Sequence, residues 1–392
     1  MSDRAAVRLA FLRLLGRLLP ANASAVHWPP RILVLRPDHI GDLLFLYPAL
    51  AELRSLLPEA SITLAVGPWT APLAELNRAV DHVEVIAFPG FQRQPNPGLL
   101  APYVQALRLA RKWRGKFDFC LISRRDHWWG AMTASLAGLP RVWGWQTPET
   151  EPFLTCSLTM VPGLHEVAAN VRLVRLVAHS LGRSNGDDEP TPQSHPLRLD
   201  LPASIEAKVK TWLRQNVGTD RGFVCLHPGA GAPNKVWPQA RYQSLLRSLA
   251  RHSQAPILVT GTLAEAESVT KIAAASSMAI PAAGEFGLAE LAAVLGRAVL
   301  AVGSDSGPLH LAVARGTPTV HIYGPADETR FGPWGTPERH RILAATVHCR
   351  PCNDLWHCSS SDSLACMRGV SMEEVLWAVV SLLGKSGTVA PP

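Results

Sequence analysis

The sequence predicts an α/β protein made of two doubly wound parallel sheets in tandem, and three observations predict it. Short runs rich in Val, Ile and Leu alternate with longer stretches of helical period, as βαβ units require. A polar, proline-rich segment, "RSNGDDEPTPQSHP", interrupts that alternation near mid-chain, and the same alternation restarts after it. At 392 residues the chain is also too long for one core of ordinary size.

Residues 31–189 form the expected first domain. Its strands are "RILVL", "SITLAV", "VEVIAF" and "FDFCLIS", continuous apolar runs of the kind buried on both faces. Helical stretches run from Tyr47 to Leu57 and from Pro102 to Arg114, and "HEVAANVRLVRLVAHSLG" is a helix ending at Gly182. The linker follows near residues 183–200, with the boundary near 190. In the second domain, residues 190–345, the strands are "FVCLHPG", "APILVTG", "LAVGSDSG" and "TPTVHIYGP". Right-handed crossovers between such strands give parallel sheets whose ligands lie at the carboxyl ends, so a cleft between two facing domains is the expected site. Residues 346–392 hold a cysteine cluster and the amphipathic helix "SMEEVLWAVVSLLG", started by Ser371 with Glu373 and Glu374 in its first turn.

Apolar residues make up 47% of the chain and charged ones 18%, the balance of a soluble protein with a large interior. A net charge of +7 suits an anionic partner: a phosphorylated substrate, a membrane surface or a polyanion. Nucleic acid is not expected, because basic and aromatic residues do not interleave in a known motif. No apolar run is long enough to span a bilayer, and a cytoplasmic location follows as an expectation. In the extension 1–30, Arg8, Arg13 and Arg17 break any signal-peptide core, although Ala23-Ser24-Ala25 resembles a cleavage site. Phe11, Leu12, Leu15, Leu18 and Leu19 share one helical face opposite Arg13 and Arg17, while Arg4 and Arg8 fall on the apolar side. Residues 1–20 therefore either make peripheral membrane contact at the inner face of the cytoplasmic membrane or pack on the protein's own surface.

Chemistry-bearing residues gather at the strand ends. In "RPDHIGDLLFLYPAL", Asp38, His39 and Asp42 follow the first strand, and a carboxylate there either caps a helix or presents a base to a ligand. Asp42 in a first helical turn should stay ionised, because the helix dipole favours its charge. In "SRRDHWWG", Arg124 and Arg125 can fork onto an acidic acceptor or form surface ion pairs, and Asp126 is a second candidate base. Gly229, Gly231 and Lys235 in "HPGAGAPNKVWP" suit the close approach of an anion. In "GSDSGPLHLAVARG", Ser304, Asp305 or Ser306 can cap the next helix, and its free N–H groups would favour a diphosphate. Asp305 either caps or accepts ligand hydroxyls. Glu265, beyond "ILVTG", either holds ribose or simply starts a helix.

In their order these motifs resemble glycosyltransferase family nine, the ADP-heptose:lipopolysaccharide heptosyltransferases. "RPDHIGDLLFLYPALAELR", "HEVAANVRLV", "HPGAGAPNKVWP" and "GSDSGPLHLAVARGTPTVHIYGP" carry the likeness, which extends over nearly all of residues 31–370. It implies a GT-B architecture, two Rossmann-like domains with acceptor first and nucleotide sugar second, and inverting transfer without a catalytic metal. It further implies Asp42 as general base and Lys235 on the donor diphosphate. Asp305, Ser306, Gly307, Leu309 and His310 would line the donor pocket, with Glu265 on ribose. The implied partners are an ADP-heptose donor and an envelope glycan or lipid-linked acceptor. Another nucleotide sugar, a protein acceptor of the autotransporter type, or a sugar-nucleotide binder without turnover are the alternatives. The resemblance also implies that the last helix packs back towards the first domain.

Cys349, Cys352, Cys358 and Cys366 are spaced C-x2-C-x5-C-x7-C. Clustered thiols in a reducing compartment argue for a structural zinc or iron, with unmetallated thiols as the alternative. Cys120, Cys156 and Cys225 sit in apolar settings and read as core.

Overall fold

The computed structural model describes residues 3–18, 25–91, 98, 100–183, 186, 188–360 and 362–385. Leu19, the Ala23–Ser24 step and the loop residues 92–97 and 99 lie outside the described residues, as do the side chains of Arg4 and Leu18. The chain divides into two compact units, Met1–Pro190 and Thr191–Pro392.

The first unit begins with α1 (Asp3–Leu18), β1 (Arg31–Arg36), α2 (Ile40–Leu56), β2 (Ser61–Val66), α3 (Ala71–Ala74) and β3 (His82–Val85). It continues with α4 (Ala101–Trp113), β4 (Phe119–Ile122), α5 (Trp128–Leu136), β5 (Val142–Trp145), β6 (Cys156–Leu158) and α6 (Glu166–Ser180). All strand pairs are parallel, in the order β3-β2-β1-β4-β5-β6. The strand order reverses between β1 and β4, where Leu35 pairs with Ile122. A doubly wound sheet opens its ligand crevice at such a point.

Helix α2 begins at Ile40, two turns before the expected Tyr47, and keeps Pro48 buried inside it. Helix α1 docks on its own unit. Leu12 is fully buried with Trp113, Trp129 and Phe153 in the core, and Leu15 packs against the same cluster. Arg8 reaches Glu149 at 3.7 Å and lies over the Trp128 ring. Gly16 permits the closest approach, since a Cβ there would stand 2.5 Å from the Pro152 carbonyl oxygen.

The second unit holds α7 (Ala203–Asn216), β7 (Val224–His227), α8 (Gln239–His252), β8 (Ile257–Gly261), α9 (Ala266–Ala273) and β9 (Ala279–Ala283). Then come α10 (Leu288–Leu295), β10 (Leu300–Ser304), α11 (Gly307–Ala314), β11 (Thr319–Tyr323), α12 (Glu328–Phe331), β12 (His340–Ala344), α13 (Ala365–Arg368) and α14 (Met372–Lys385). The sheet is again parallel, ordered β12-β11-β10-β7-β8-β9, with its reversal between β7 and β10.

Helix α14 packs within the second unit. Val375, Ala378, Val379, Leu382 and Leu383 of α14 enter the second unit's own core with Trp237, Tyr242 and Met367. Their spacing of three and four residues makes one apolar stripe, which α8 and the sheet cover. Ser371 starts the helix as expected: its N–H and hydroxyl both donate to Glu374 Oε2, at 2.8 and 2.6 Å. No described helix is long and apolar enough to cross a membrane.

Candidate functional site

Two constellations occupy the two sheet reversals, one in each unit. In the first, Arg36 ends β1 and is almost wholly buried. Its Nη1 donates to the Ser123 carbonyl at 2.9 Å, its Nε lies 3.1 Å from Asp38 Oδ2, and its Nη2 lies 3.2 Å from Asp42 Oδ1. Arg124, just past β4, bonds the other Asp38 oxygen and holds Asp126 at 2.5 Å. Asp38 is thus clamped between two guanidinium groups. Burial opposes its charge, but Arg36 and Arg124 outweigh that and hold the carboxyl below its ordinary range.

Asp42 differs from the expectation. Burial, then the negative Asp38, then Glu166 push its carboxyl up to about 6, against a lowering by Arg36 and Arg124. A helix N-terminus is a weaker influence than lost water and two neighbouring carboxylates. The Asp42 side chain nevertheless keeps 29% of its surface open, whereas that of Asp38 keeps 3%. Asp38 is therefore neither a free base nor a cap: His39 holds the N-cap position of α2, with no side-chain cap bond. The His39 ring lies 5.6 Å from Trp69, whose indole N–H donates to the Asp38 carbonyl at 2.6 Å.

Arg125 is not an acceptor-binding fork. It is buried, lies 3.0 Å from Glu166 Oε1, donates to the Leu164 carbonyl at 2.8 Å and covers the Trp145 ring. Arg124 and Asp126 remain partly open. Sequence reasoning passed over Arg36, Glu166 and the buried His127, which burial pushes down to about 4 and so keeps neutral. An arginine closing an otherwise apolar strand was the available signal for Arg36.

The second constellation joins the ends of β7 and β10. Lys235 Nζ lies 2.6 Å from Asp305 Oδ2, and His310 Nε2 lies 3.4 Å from Asp305 Oδ1. Burial opposes the Asp305 charge, but Lys235 and His310 hold its carboxyl far below the usual carboxylate range. Asp305 is accordingly a counter-ion that aims Lys235, while Ser306 takes the N-cap position of α11. The buried Ser306 hydroxyl makes no hydrogen bond among the described residues, at the start of an eight-residue helix whose N-terminus favours an anion. Behind them Thr319 Oγ1 bridges His321 Nε2 at 2.8 Å and His340 Nδ1 at 2.9 Å. Burial pushes His340 down to about 4, and that of His321 well below its ordinary value, so neither carries charge at neutral pH.

Glu265 closes a capping box, accepting from the Thr262 N–H at 2.7 Å and the Thr262 hydroxyl at 2.8 Å. Its carboxylate lies against Gly229, where a Cβ would meet Oε1 at 2.2 Å. Gly231 has open space at that position. Leu309 is fully buried, so its side chain is core and not pocket lining. Gly307 opens α11.

The four clustered cysteines are free thiols, Cys352 and Cys358 exposed, Cys366 buried. Burial pushes the Cys366 thiol up, and charge on Cys349, Cys352 and Cys358 adds to the rise, so the four lie within electrostatic reach. Among the described residues, however, no three His, Cys, Asp or Glu side chains are arranged to hold a metal ion. The expected zinc or iron site does not fit this arrangement, with Cys366 packed into the core and Cys352 and Cys358 on exposed loop backbone.

The family model for glycosyltransferase family 9 (heptosyltransferase) matches residues 106–357, more than half of the chain. The chain belongs to glycosyltransferase family 9. Lipopolysaccharide heptosyltransferase 1 of Salmonella typhimurium is 25% identical over 310 residues, covering 78% of this chain and 92% of its own. Among solved structures, the family 9 glycosyltransferase from Veillonella parvula aligns with a TM-score of 0.72 at 21% identity, covering 93% of this chain and 99% of its own. The E. coli ADP-heptose lipopolysaccharide heptosyltransferase II aligns at 0.68 and 19% identity, covering 91% and 99%. This family 9 chain is a sugar-transferring enzyme with the GT-B fold, related to the heptosyltransferases of lipopolysaccharide synthesis.

Proposed function

We propose that this glycosyltransferase moves a heptose from ADP-heptose onto a hydroxyl of a lipopolysaccharide-core acceptor, with inversion and with Asp42 as general base. The observation that carries the reading is the contrast between two carboxylates on one arginine. Asp38 is sealed and fixed as an anion, while Asp42 is partly open with its carboxyl raised to about 6. A base of that strength is mostly ionised at neutral pH yet still accepts a proton readily.

The Asp42 carboxylate would take the acceptor hydroxyl proton as the oxygen attacks the anomeric carbon. The bond from that carbon to the diphosphate breaks, and ADP leaves with the electron pair. Its growing charge would meet Lys235, the Ser306 hydroxyl and the N-terminus of α11. Asp305, 2.6 Å from the ammonium, holds Lys235 in place. Glu265, with one oxygen used by Thr262, has acceptor capacity left for a ribose hydroxyl. Arg124 offers a partly open guanidinium to an acidic group on the acceptor. ADP as the nucleotide is supported by the likeness to the E. coli ADP-heptose lipopolysaccharide heptosyltransferase II. We place the reaction at the cytoplasmic face of the membrane, where a lipid-linked acceptor is met.

The test pairs ADP with UDP in a thermal-shift assay and adds Asp42→Asn. ADP should stabilise the protein selectively, and the variant should keep that shift while losing roughly 10²–10⁴-fold in turnover of ADP-heptose. Equal indifference to both nucleotides sinks the donor assignment, and an active variant sinks the base.

A further inference from the structure

We infer that the outer face formed by α1 and α4 is a docking surface for an anionic lipid bilayer. Helix α1 is anchored by Leu12 and Arg8, which leaves its opposite side free. Phe11 and Leu14 are exposed there, Leu14 by 59%. On α4, Leu100 just before the helix, Val104 and Leu107 are exposed, Leu100 by 75%. The two sets are joined, because the Phe11 and Tyr103 rings meet edge to face at 6.1 Å. At roughly 100° per residue, Leu107 and Leu100 lie on the Tyr103 side of α4, away from the buried Ala106, Ala110 and Trp113.

Charge selects the occupant. Arg13, Arg17, Arg108 and Arg111 are exposed beside these apolar side chains, and none has an ion-pair partner among the described residues. Helix α4 contains no acidic residue, and α1 contains only Asp3, at its start. Leucine, valine and phenylalanine sunk among acyl chains, with arginines at headgroup level, is how an interfacial helix binds. Each such arginine near an anionic leaflet contributes roughly a fivefold gain in binding. A nucleic acid would use the arginines but leave the aliphatic side chains without purpose. The purpose of the surface rests on the lipid-linked acceptor proposed above, whereas the binding itself requires no donor chemistry.

The full chain is tested by co-sedimentation with phosphatidylcholine vesicles, with and without phosphatidylglycerol. Binding is expected only with phosphatidylglycerol and should weaken as salt is raised. The double variant Leu14→Glu/Leu107→Glu should lose at least roughly tenfold in binding, and Arg13→Gln/Arg108→Gln a comparable amount. Trp377→Glu, an equally exposed apolar site on α14, should bind like wild type. All of these side chains are exposed, and an unchanged melting temperature and ADP shift would show that fold and donor site are intact. Absence of sedimentation at low salt, or equal binding by the leucine variant, overturns the proposal. Retention on a heparin column with the same dependence on both leucines, but no vesicle binding, reassigns the face to a polyanion. Vesicle binding without any ADP shift defeats the donor reading alone.

Discussion

Arg36 and Asp42 share an ion pair of 3.2 Å across the first turn of α2, and the same guanidinium holds Asp38 at 3.1 Å. One cation thus serves two carboxylates, too little to cancel the burial that raises Asp42 to about 6. A base must be unprotonated to act, so kcat/KM should fall on the acid side with a midpoint near that value. Arg36→Lys keeps a charge but loses the fork. The acid limb should then move up, which a pH–rate profile reads directly, while ADP binding in the other unit stays unchanged. An unmoved limb would mean that Arg36 does not tune the base.

The same shift predicts a stability trend. The ordinary Asp value is 3.8 and the folded value about 6, so the folded state binds the proton more tightly. Its stabilising contribution is complete below about 3.8 and is lost as pH rises through about 6. Asp42→Asn removes that loss, so the variant should gain on wild type by up to about 3 kcal/mol between pH 4 and pH 8. Urea titrations of both proteins across this range give the difference. A constant gap would contradict the raised carboxyl.

Most interior strands were legible, β5 being missed, and of the edge strands only β3 was read, as "VEVIAF". β1, β2, β4, β7, β8, β10 and β11 are continuous apolar runs, because both sheet faces are covered. β6, β9 and β12 lie at sheet edges, half-exposed, and Pro281 within β9 is tolerated only at an edge. Asp42 does fall in the first turn of α2, which runs on through Pro48 although a proline reads as a helix start or break. At the site, Asp42, Lys235 and Asp305 could be named from strand-end position. Their partners could not: Arg36 meets Ser123 and Arg125 meets Glu166 only because β1 lies beside β4 and α6 returns to the same edge.

Lys235 and Asp305 form a largely buried pair, so removing one partner strands the other's charge. Lys235→Met should cost about 3–5 kcal/mol and abolish the ADP shift. Lys235→Met/Asp305→Leu should recover most of that stability yet remain blind to ADP. Asp305 has a depressed carboxyl, so the wild-type advantage is present above its ordinary value and disappears as pH falls below it. Recovery of ADP binding in the double variant would remove Lys235 from the donor site.

The cysteine segment yields the last prediction. Hydrogen bonds from the Leu364 and Ser360 N–H groups favour the Cys358 thiolate, and that thiol is exposed. Burial pushes Cys225 up to about 12, and it raises Cys120 in the same way. Iodoacetamide at neutral pH should therefore label Cys358 first and leave Cys120 and Cys225 untouched until the protein is denatured. Peptide mass mapping at short times gives the order. Protection of Cys349, Cys352, Cys358 and Cys366 as a group, relieved by a chelator, would instead mean that the four thiols close on a metal in solution.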